Sequence, residues 1–302
     1  MSTIIDVKNL SREFGELKAV DQLSFTVNAG EVYGFLGQNG AGKSTTIRML
    51  LTLIQPTEGT IEIMGMNLFE HRKKILRQTG AIIERPDLYK YLTALENLRM
   101  FAALSGVRVS AKQLMEKLEL VGLSDRAKSK VKTFSQGMKQ RLGIAVALVH
   151  DPELIILDEP LNGLDPQGIA DMRNLILHLS KDMGKTVFVS SHLLGEMELI
   201  ADSMLIINKG RKVAEGKKEE LLNPVQTEVE LITTNNDNAR ALIGKTEWKD
   251  KLKLKSNGQL VLEMDKLQIP ALNKLLVENG VSVLSIRPKH SLEDFFLSLT
   301  RH

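Results

Sequence analysis

Nine consecutive residues, Gly37-Gln38-Asn39-Gly40-Ala41-Gly42-Lys43-Ser44-Thr45, fit the spacing G-x-x-x-x-G-K-[ST]. The chemistry of that spacing is phosphate binding. Glycines let the backbone turn its N–H groups inward and approach an anion closely. A helix starting directly behind the loop adds the positive end of its dipole. Lys43 is placed to reach the β- and γ-phosphates of a nucleoside triphosphate, and Ser44 to hold Mg²⁺. A second group of reactive residues follows the apolar run Leu154-Ile155-Ile156-Leu157, which ends in Asp158-Glu159-Pro160. An acid at such a strand end holds Mg²⁺ during phosphoryl transfer, directly or through water, and Asp158 takes that role. Glu159 then faces the water that attacks the γ-phosphate, as general base. Alone, two acids on a strand end describe a solvated cap equally well. With the phosphate loop, they describe triphosphate hydrolysis.

These side chains need elements to hold them. Val32 to Leu36 reads as a buried strand entering the loop, and Ser44 to Ile54 as the helix leaving it. Leu154 to Leu157 and Thr186 to Val189 read as buried parallel strands, with an amphipathic helix, Gln167 to Lys181, between them. Ahead of the loop, Ile4 to Val27 alternates apolar and polar residues around Gly15, the pattern of antiparallel strands. Ala81 to Ile83 is a short apolar strand. Thr93 to Leu148 is helical in its spacing. Met204 to Ile207 and Lys212 to Ala214 form a hairpin around Lys209-Gly210. Asn223-Pro224 breaks the pattern and marks a domain boundary. Beyond it the order is strand 228–232, helix 238–243, strands 252–255 and 260–263 around Ser256-Asn257-Gly258, helix 270–279 and strand 281–286. That βαββαβ order is ferredoxin-like. A last amphipathic helix, Leu292 to Leu299, follows. The expectation is an α/β nucleotide-binding domain at 1–223, with a helical subdomain at about 85–150, and an α+β domain at 224–302.

Bulk properties narrow the classes. The chain has 302 residues, 43% of them hydrophobic, enough for one large and one small core. A formal charge of +3 gives little support for a nucleic-acid surface. With no cysteine, disulfides, thiolate metal sites and thiol nucleophiles are excluded, which is compatible with a reducing cytoplasm. An early Asp6 and the lack of a long apolar core argue against a secretory signal. No apolar run is long enough to span a bilayer, so any membrane role comes through a partner.

With both nucleotide motifs in place, the chain resembles the ATP-binding subunit of ABC transporters over about Ile4 to Leu222. Thr133-Phe134-Ser135-Gln136-Gly137-Met138-Lys139-Gln140-Arg141 looks like the family signature. A Ser and a Gly at a helix N-terminus offer a hydroxyl, an N–H and a dipole end to phosphate. In the family that phosphate belongs to ATP held by the opposite subunit. Ser135 and Gly137 keep the pattern, while Gln136 and Met138 depart from the usual LSGGQ. Asn162-Gly163-Leu164-Asp165 matches the loop that crosses the dimer, and Ser190-Ser191-His192 the switch histidine, His192, which contacts the γ-phosphate. Phe14 falls where the family stacks an aromatic ring on adenine, a role that needs only an exposed π-face.

Glu84, in Ala81-Ile82-Ile83-Glu84-Arg85-Pro86, stands where most relatives have Gln. A carboxylate there can still ligate Mg²⁺, but its negative charge near the phosphates requires the metal to offset it. This Glu resembles the subgroup of half-size ATPases that drive ABC-2-type exporters, including bacitracin- and lantibiotic-type export and self-immunity systems. Met138-Lys139-Gln140-Arg141 and Ser291-Leu292-Glu293-Asp294-Phe295-Phe296 look like that subgroup too. The resemblance implies a P-loop core of ABC ATPase type with an antiparallel β subdomain. It also implies ATP and Mg²⁺, a homodimer or a paired ATPase subunit, and an integral membrane permease that anchors the chain at the inner face of the membrane. The permease's docking surface is expected at Asp87 to Leu104, with Leu88, Tyr89, Tyr91 and Leu92 as an apolar rim. The competing reading is a soluble ABC-type ATPase acting on ribosomes or DNA. Its translation-factor relatives carry two nucleotide domains, and its DNA-repair relatives a long coiled coil. A metabolic kinase has no use for the signature, and a pure binding module none for the hydrolytic residues.

Overall fold

The structure, a computed structural model, describes residues 2–222, 227–254 and 259–289. The boundary expected at Asn223-Pro224, the turn Ser256-Asn257-Gly258, and the terminal helix Leu292 to Leu299 with Phe295 and Phe296 lie outside the described residues. The chain forms two compact units, Met1–Lys217 and Lys218–His302.

In chain order the first unit opens with strands β1 (Thr3–Phe14), β2 (Leu17–Asn28) and β3 (Val32–Leu36), then helix α1 (Lys43–Leu50). Next come β4 (Glu58–Ile63), β5 (Met66–Asn67), α2 (Arg72–Leu76), β6 (Thr79–Ile82), α3 (Ala94–Leu104), α4 (Ala111–Leu120) and α5 (Gln136–Ala147). It closes with β7 (Leu154–Asp158), α6 (Pro166–Lys181), β8 (Thr186–Ser191), α7 (Leu194–Ile200), β9 (Ser203–Asn208) and β10 (Arg211–Lys217). One four-stranded antiparallel sheet has the order β2-β1-β4-β5. A six-stranded sheet has the order β10-β9-β3-β8-β7-β6, parallel except for β10 at its edge. The parallel strands β3, β7 and β8 are buried along their whole length, as strands covered on both faces must be.

Aromatic rings join the two sheets. Phe25 of β2 lies 6.1 Å from Tyr33 and 6.0 Å from Phe35 of β3, and Phe188 of β8 is 5.3 Å from Phe35, centroid to centroid. Burial of such a side chain is worth roughly 3–5 kcal/mol against truncation to Ala. The one polar atom in this cluster is satisfied, because the Tyr33 hydroxyl donates to Glu215 Oε1 at 3.0 Å. Burial, then the Glu215 charge, push that phenol well above its ordinary pKa.

α1 ends at Leu50 rather than Ile54. Thr52 adopts φ +57°, and Leu53 N–H donates back to Arg48 O at 2.8 Å, closing the helix. The helical stretch expected at 93–148 divides into α3, α4 and α5, each started by a hydroxyl cap. Thr93 with Glu96 and Ser110 with Gln113 form capping boxes, and Ser135 Oγ accepts from Met138 N–H. Asn97 of α3 is fully buried. Its amide accepts from Tyr89 N–H at 2.8 Å and donates to Tyr89 O at 3.1 Å and Thr93 O at 2.9 Å. The loop before α3 is thereby pinned, with Tyr89 52% and Tyr91 81% exposed.

The second unit comprises α8 (Lys218–Leu222), β11 (Thr227–Thr233), α9 (Asn236–Ile243), β12 (Leu252–Leu254), β13 (Leu260–Met264), α10 (Ile269–Glu278) and β14 (Val283–Lys289). Its sheet is antiparallel in the order β12-β13-β11-β14, the interleaved order of a ferredoxin-like βαββαβ unit. Val229, Leu231, Leu260, Leu262, Leu272 and Leu276 form its core. The last strand begins at Val283, not Val281, because Val281 N–H closes α10 by donating to Leu276 O at 2.9 Å.

Candidate active site

Strands β3, β8 and β7 are neighbours, and their C-terminal ends stand together: Leu36 pairs with Ser191, and Asp158 with Ser190. In α/β sheets that edge is where ligands bind. β3 feeds the loop Gly37–Lys43. Gly40 and Gly42 take φ +81° and +106°, and Gly42 is the N-cap of α1. A Cβ on Gly42 would sit 2.5 Å from Ala19 O, and one on Gly37 2.6 Å from Ile207 O. Glycine is therefore obligatory at both places, and the loop backbone faces an open groove of about 640 Å³. An open cradle at a helix N-terminus suits phosphate. Gln38, Asn39, Gly40, Gly42, Lys43, Ser44 and Thr45 line it, while Ala41 is buried behind.

Lys43 is only 5% exposed. Its ammonium donates to Gly37 O at 2.6 Å and Gln38 O at 3.3 Å, and lies 3.1 Å from Glu159 Oε1. The other oxygen, Glu159 Oε2, is 2.8 Å from His192 Nδ1 and accepts from the His192 N–H at 3.4 Å. Glu159 itself has φ +50°, uncommon for a residue with a Cβ. Its N–H is shared between Ser190 O at 3.2 Å and Ser190 Oγ at 3.0 Å. Ser190 Oγ in turn donates to Asp158 Oδ1 at 2.5 Å. Ser190 thus orients both acids of β7. Its role depends on β8 lying beside β7, which no local signal announces.

The other sequence-predicted residues separate into those at the groove and those away from it. Phe14 is at the groove, 46% exposed, with the Arg12 guanidinium 4.5 Å over its ring. Leu17, Lys18, Ala19 and Lys209 also line the groove, and none of them carries a nucleotide motif. Asp158 is 2% exposed, at the foot of the site. Glu84 turns to Arg48 of α1 and hydrogen-bonds it, at φ +57°. Ser135 caps α5 and is exposed, and Asp165 caps α6 by accepting from Gly168 N–H at 2.9 Å. A Cβ on Gly137 would be 3.8 Å from Leu164 Cδ2, so the segments around Gly137 and Leu164 meet away from the chain's own groove.

No cluster of three or more His, Cys, Asp or Glu suited to a metal occurs among the described residues. Mg²⁺ is usually held by one or two carboxylates together with substrate phosphates and waters. A Ser44 hydroxyl on the groove wall and an Asp158 carboxylate at the end of β7, one strand beyond β8, are the donor types of that set.

A phosphate loop, a strand-end acid pair and a histidine converging on one edge of a parallel sheet define a P-loop nucleoside triphosphatase. The chain belongs to the ABC transporter family, whose sequence profile matches residues 20–162. The bacitracin transport ATP-binding protein BcrA of Bacillus licheniformis is 46% identical over 99% of this chain and 98% of that protein. The lantibiotic transport ATP-binding protein SrtF of Streptococcus pyogenes is 41% identical over 70% of this chain and 90% of that protein. A solved ATP-binding cassette, in a dimeric post-hydrolysis state bound to ADP and Pi, superposes with a TM-score of 0.64 at 26% identity, over 71% of this chain and 99% of that one. The protein is thus a nucleotide-binding ABC ATPase.

Proposed function

We propose that this ATPase drives a separate transmembrane permease that exports an antimicrobial peptide, a drug or a lipid-like compound, a role in antibiotic resistance or self-protection. The near full-length similarity to a bacitracin transport ATP-binding protein carries this reading. Among the described residues no helix is long and apolar enough to cross a membrane. In this reading the permease holds the chain at the cytoplasmic face of the membrane. Nothing in the relatives' names favours ribosomes or DNA.

In the proposed cycle, adenine stacks on Phe14 and the triphosphate lies along Gly37–Thr45. Ser44 and Asp158 would hold Mg²⁺, which would supply charge neutralisation at the phosphates. Lys43 moves its ammonium to the β- and γ-phosphates, which frees Glu159 Oε1 to accept a proton from the attacking water. His192 keeps the other oxygen in place and faces the γ-phosphate. Glu84, paired with Arg48, brings no net charge to the site, so the metal need not offset it.

Ser135 and Gly137 serve the ATP of a second chain, so two chains head to tail enclose two ATP molecules. The first compact unit, Met1–Lys217, is the ATPase in this reading, and the second an accessory domain. The loop carrying Tyr89 and Tyr91 receives the permease.

The test is affinity capture of tagged Glu159→Gln protein with ATP from gently solubilised native membranes, read by mass spectrometry. A stoichiometric multi-span membrane protein is expected. Clean recovery of ribosomal or DNA-bound proteins without one would overturn the transport reading.

A further inference from the structure

Lys18 and Lys209 line the nucleotide groove, and Arg211 and Lys212 line a neighbouring hollow that shares Lys18 with it. Three are matched by carboxylates. Lys18 lies 3.1 Å from Glu13 and 4.0 Å from Asp21. Arg211 Nε donates to Asp21 at 2.7 Å. Lys212 reaches Glu215 at 2.8 Å and also donates to Ser24 O. Lys209 is exposed, lines the groove, and has no carboxylate partner among the described residues.

Its backbone is held closely. Lys209 and Gly210 form the two-residue turn between β9 and β10, with φ +48° and +79°. Two left-handed residues in a tight hairpin favour Asn, Asp or Gly at the first position, and lysine is a costly choice there. Gly210 N–H donates to Ala41 O at 2.9 Å, and Gly210 O accepts from Asp21 N–H at 2.9 Å. A Cβ on Gly210 would lie 2.8 Å from Ala19 O. The turn is wedged between the phosphate loop and β2, and Lys209 lines the groove from there.

We infer that Lys209 is a nucleotide-binding residue whose ammonium pairs with the α-phosphate. The base belongs to the Phe14 end, and Lys43 serves the far phosphates. Lys209 lines the same groove as both, so its ammonium, unmatched among the described residues, is available to the phosphate nearest the ribose. This inference rests on the groove being the ATP site, and its test separates the two.

Isothermal titration of the full chain with ADP, AMP and adenosine compares the wild type with Lys209→Gln, Lys209→Asn, Lys209→Arg and, as a control outside the groove lining, Lys112→Gln on α4. Lys209→Asn suits the left-handed turn, so a loss there is not a folding failure. Removing the charge should weaken ADP and AMP about three- to tenfold, with the loss shrinking as salt rises. Adenosine binding, Lys209→Arg and Lys112→Gln should stay near their references. Unchanged ADP affinity in both neutral variants, or an equal loss for adenosine, overturns the assignment to Lys209 alone. A wild type that binds none of the three overturns the groove reading with it.

Discussion

Glu159 is gripped by a lysine on one oxygen and a histidine on the other, while its backbone is held at positive φ by Ser190. A strained residue so heavily supported points to work that needs one fixed geometry. Replacing it with Gln keeps the size and one acceptor but removes the basicity. Phosphate release by Glu159→Gln at saturating ATP should fall about 10²- to 10⁴-fold while ATP binding persists. Undiminished turnover would remove Glu159 from the base role. Glu84 shows how one neighbour changes a residue's meaning. In the sequence it is an extra negative charge beside the phosphates. In the structure its carboxylate is answered by Arg48, one helical turn beyond the loop lysine. Both side chains are substantially exposed, so the pair orients more than it stabilises.

Among the elements, the loop before α3 owes its shape to one buried amide. Asn97 satisfies both backbone groups of Tyr89, and Leu92 and Lys90 carbonyls accept from Val131 and Lys132 N–H at 3.0 and 2.8 Å. The exposed Tyr89 and Tyr91 are thereby presented from a braced segment. Asn97→Ala takes the partner from the Tyr89 N–H and removes a fully buried amide, while Tyr89 O keeps the Leu92 N–H, at a cost of about 1–3 kcal/mol. The expected result is a lower Tm and faster amide exchange at residues 88–92, with basal ATP hydrolysis little changed. Exchange as slow as in the wild type would show that the segment is held by other contacts.

For the whole molecule, a single chain leaves its signature residues outside its own groove. Ser135 and Gly137 open α5 at the surface beside Leu164, with helix N-terminal character and no phosphate source in the same chain. In the proposed head-to-tail dimer a second copy supplies one. With ATP and Mg²⁺, Glu159→Gln should double in mass by light scattering, and adding Gly137→Asp should abolish the shift by setting a carboxylate against phosphate. A mass independent of nucleotide in Glu159→Gln would remove the sandwich.

The identities of the reactive groups were legible in the sequence because they depend on neighbours within a few residues. Gly37, Gly42, Lys43 and Ser44 form a loop wherever a strand and a helix flank them. Asp158-Glu159 needs only an apolar strand before it, and the βαββαβ order of the second unit follows from local period and turn signals. Strand adjacency was the part that no local pattern carries. Only the order β9-β3-β8-β7 brings Ser190 to Asp158 and His192 to Glu159 and sets Gly210 against Ala41, since each contact joins residues 30 to 170 positions apart. The pairing of Glu84 with Arg48 and the unmatched charge of Lys209 are likewise sums over neighbours that the fold selects. Spacing along the chain decided which chemistry is present, and packing decided which charges are balanced and which remain for the nucleotide.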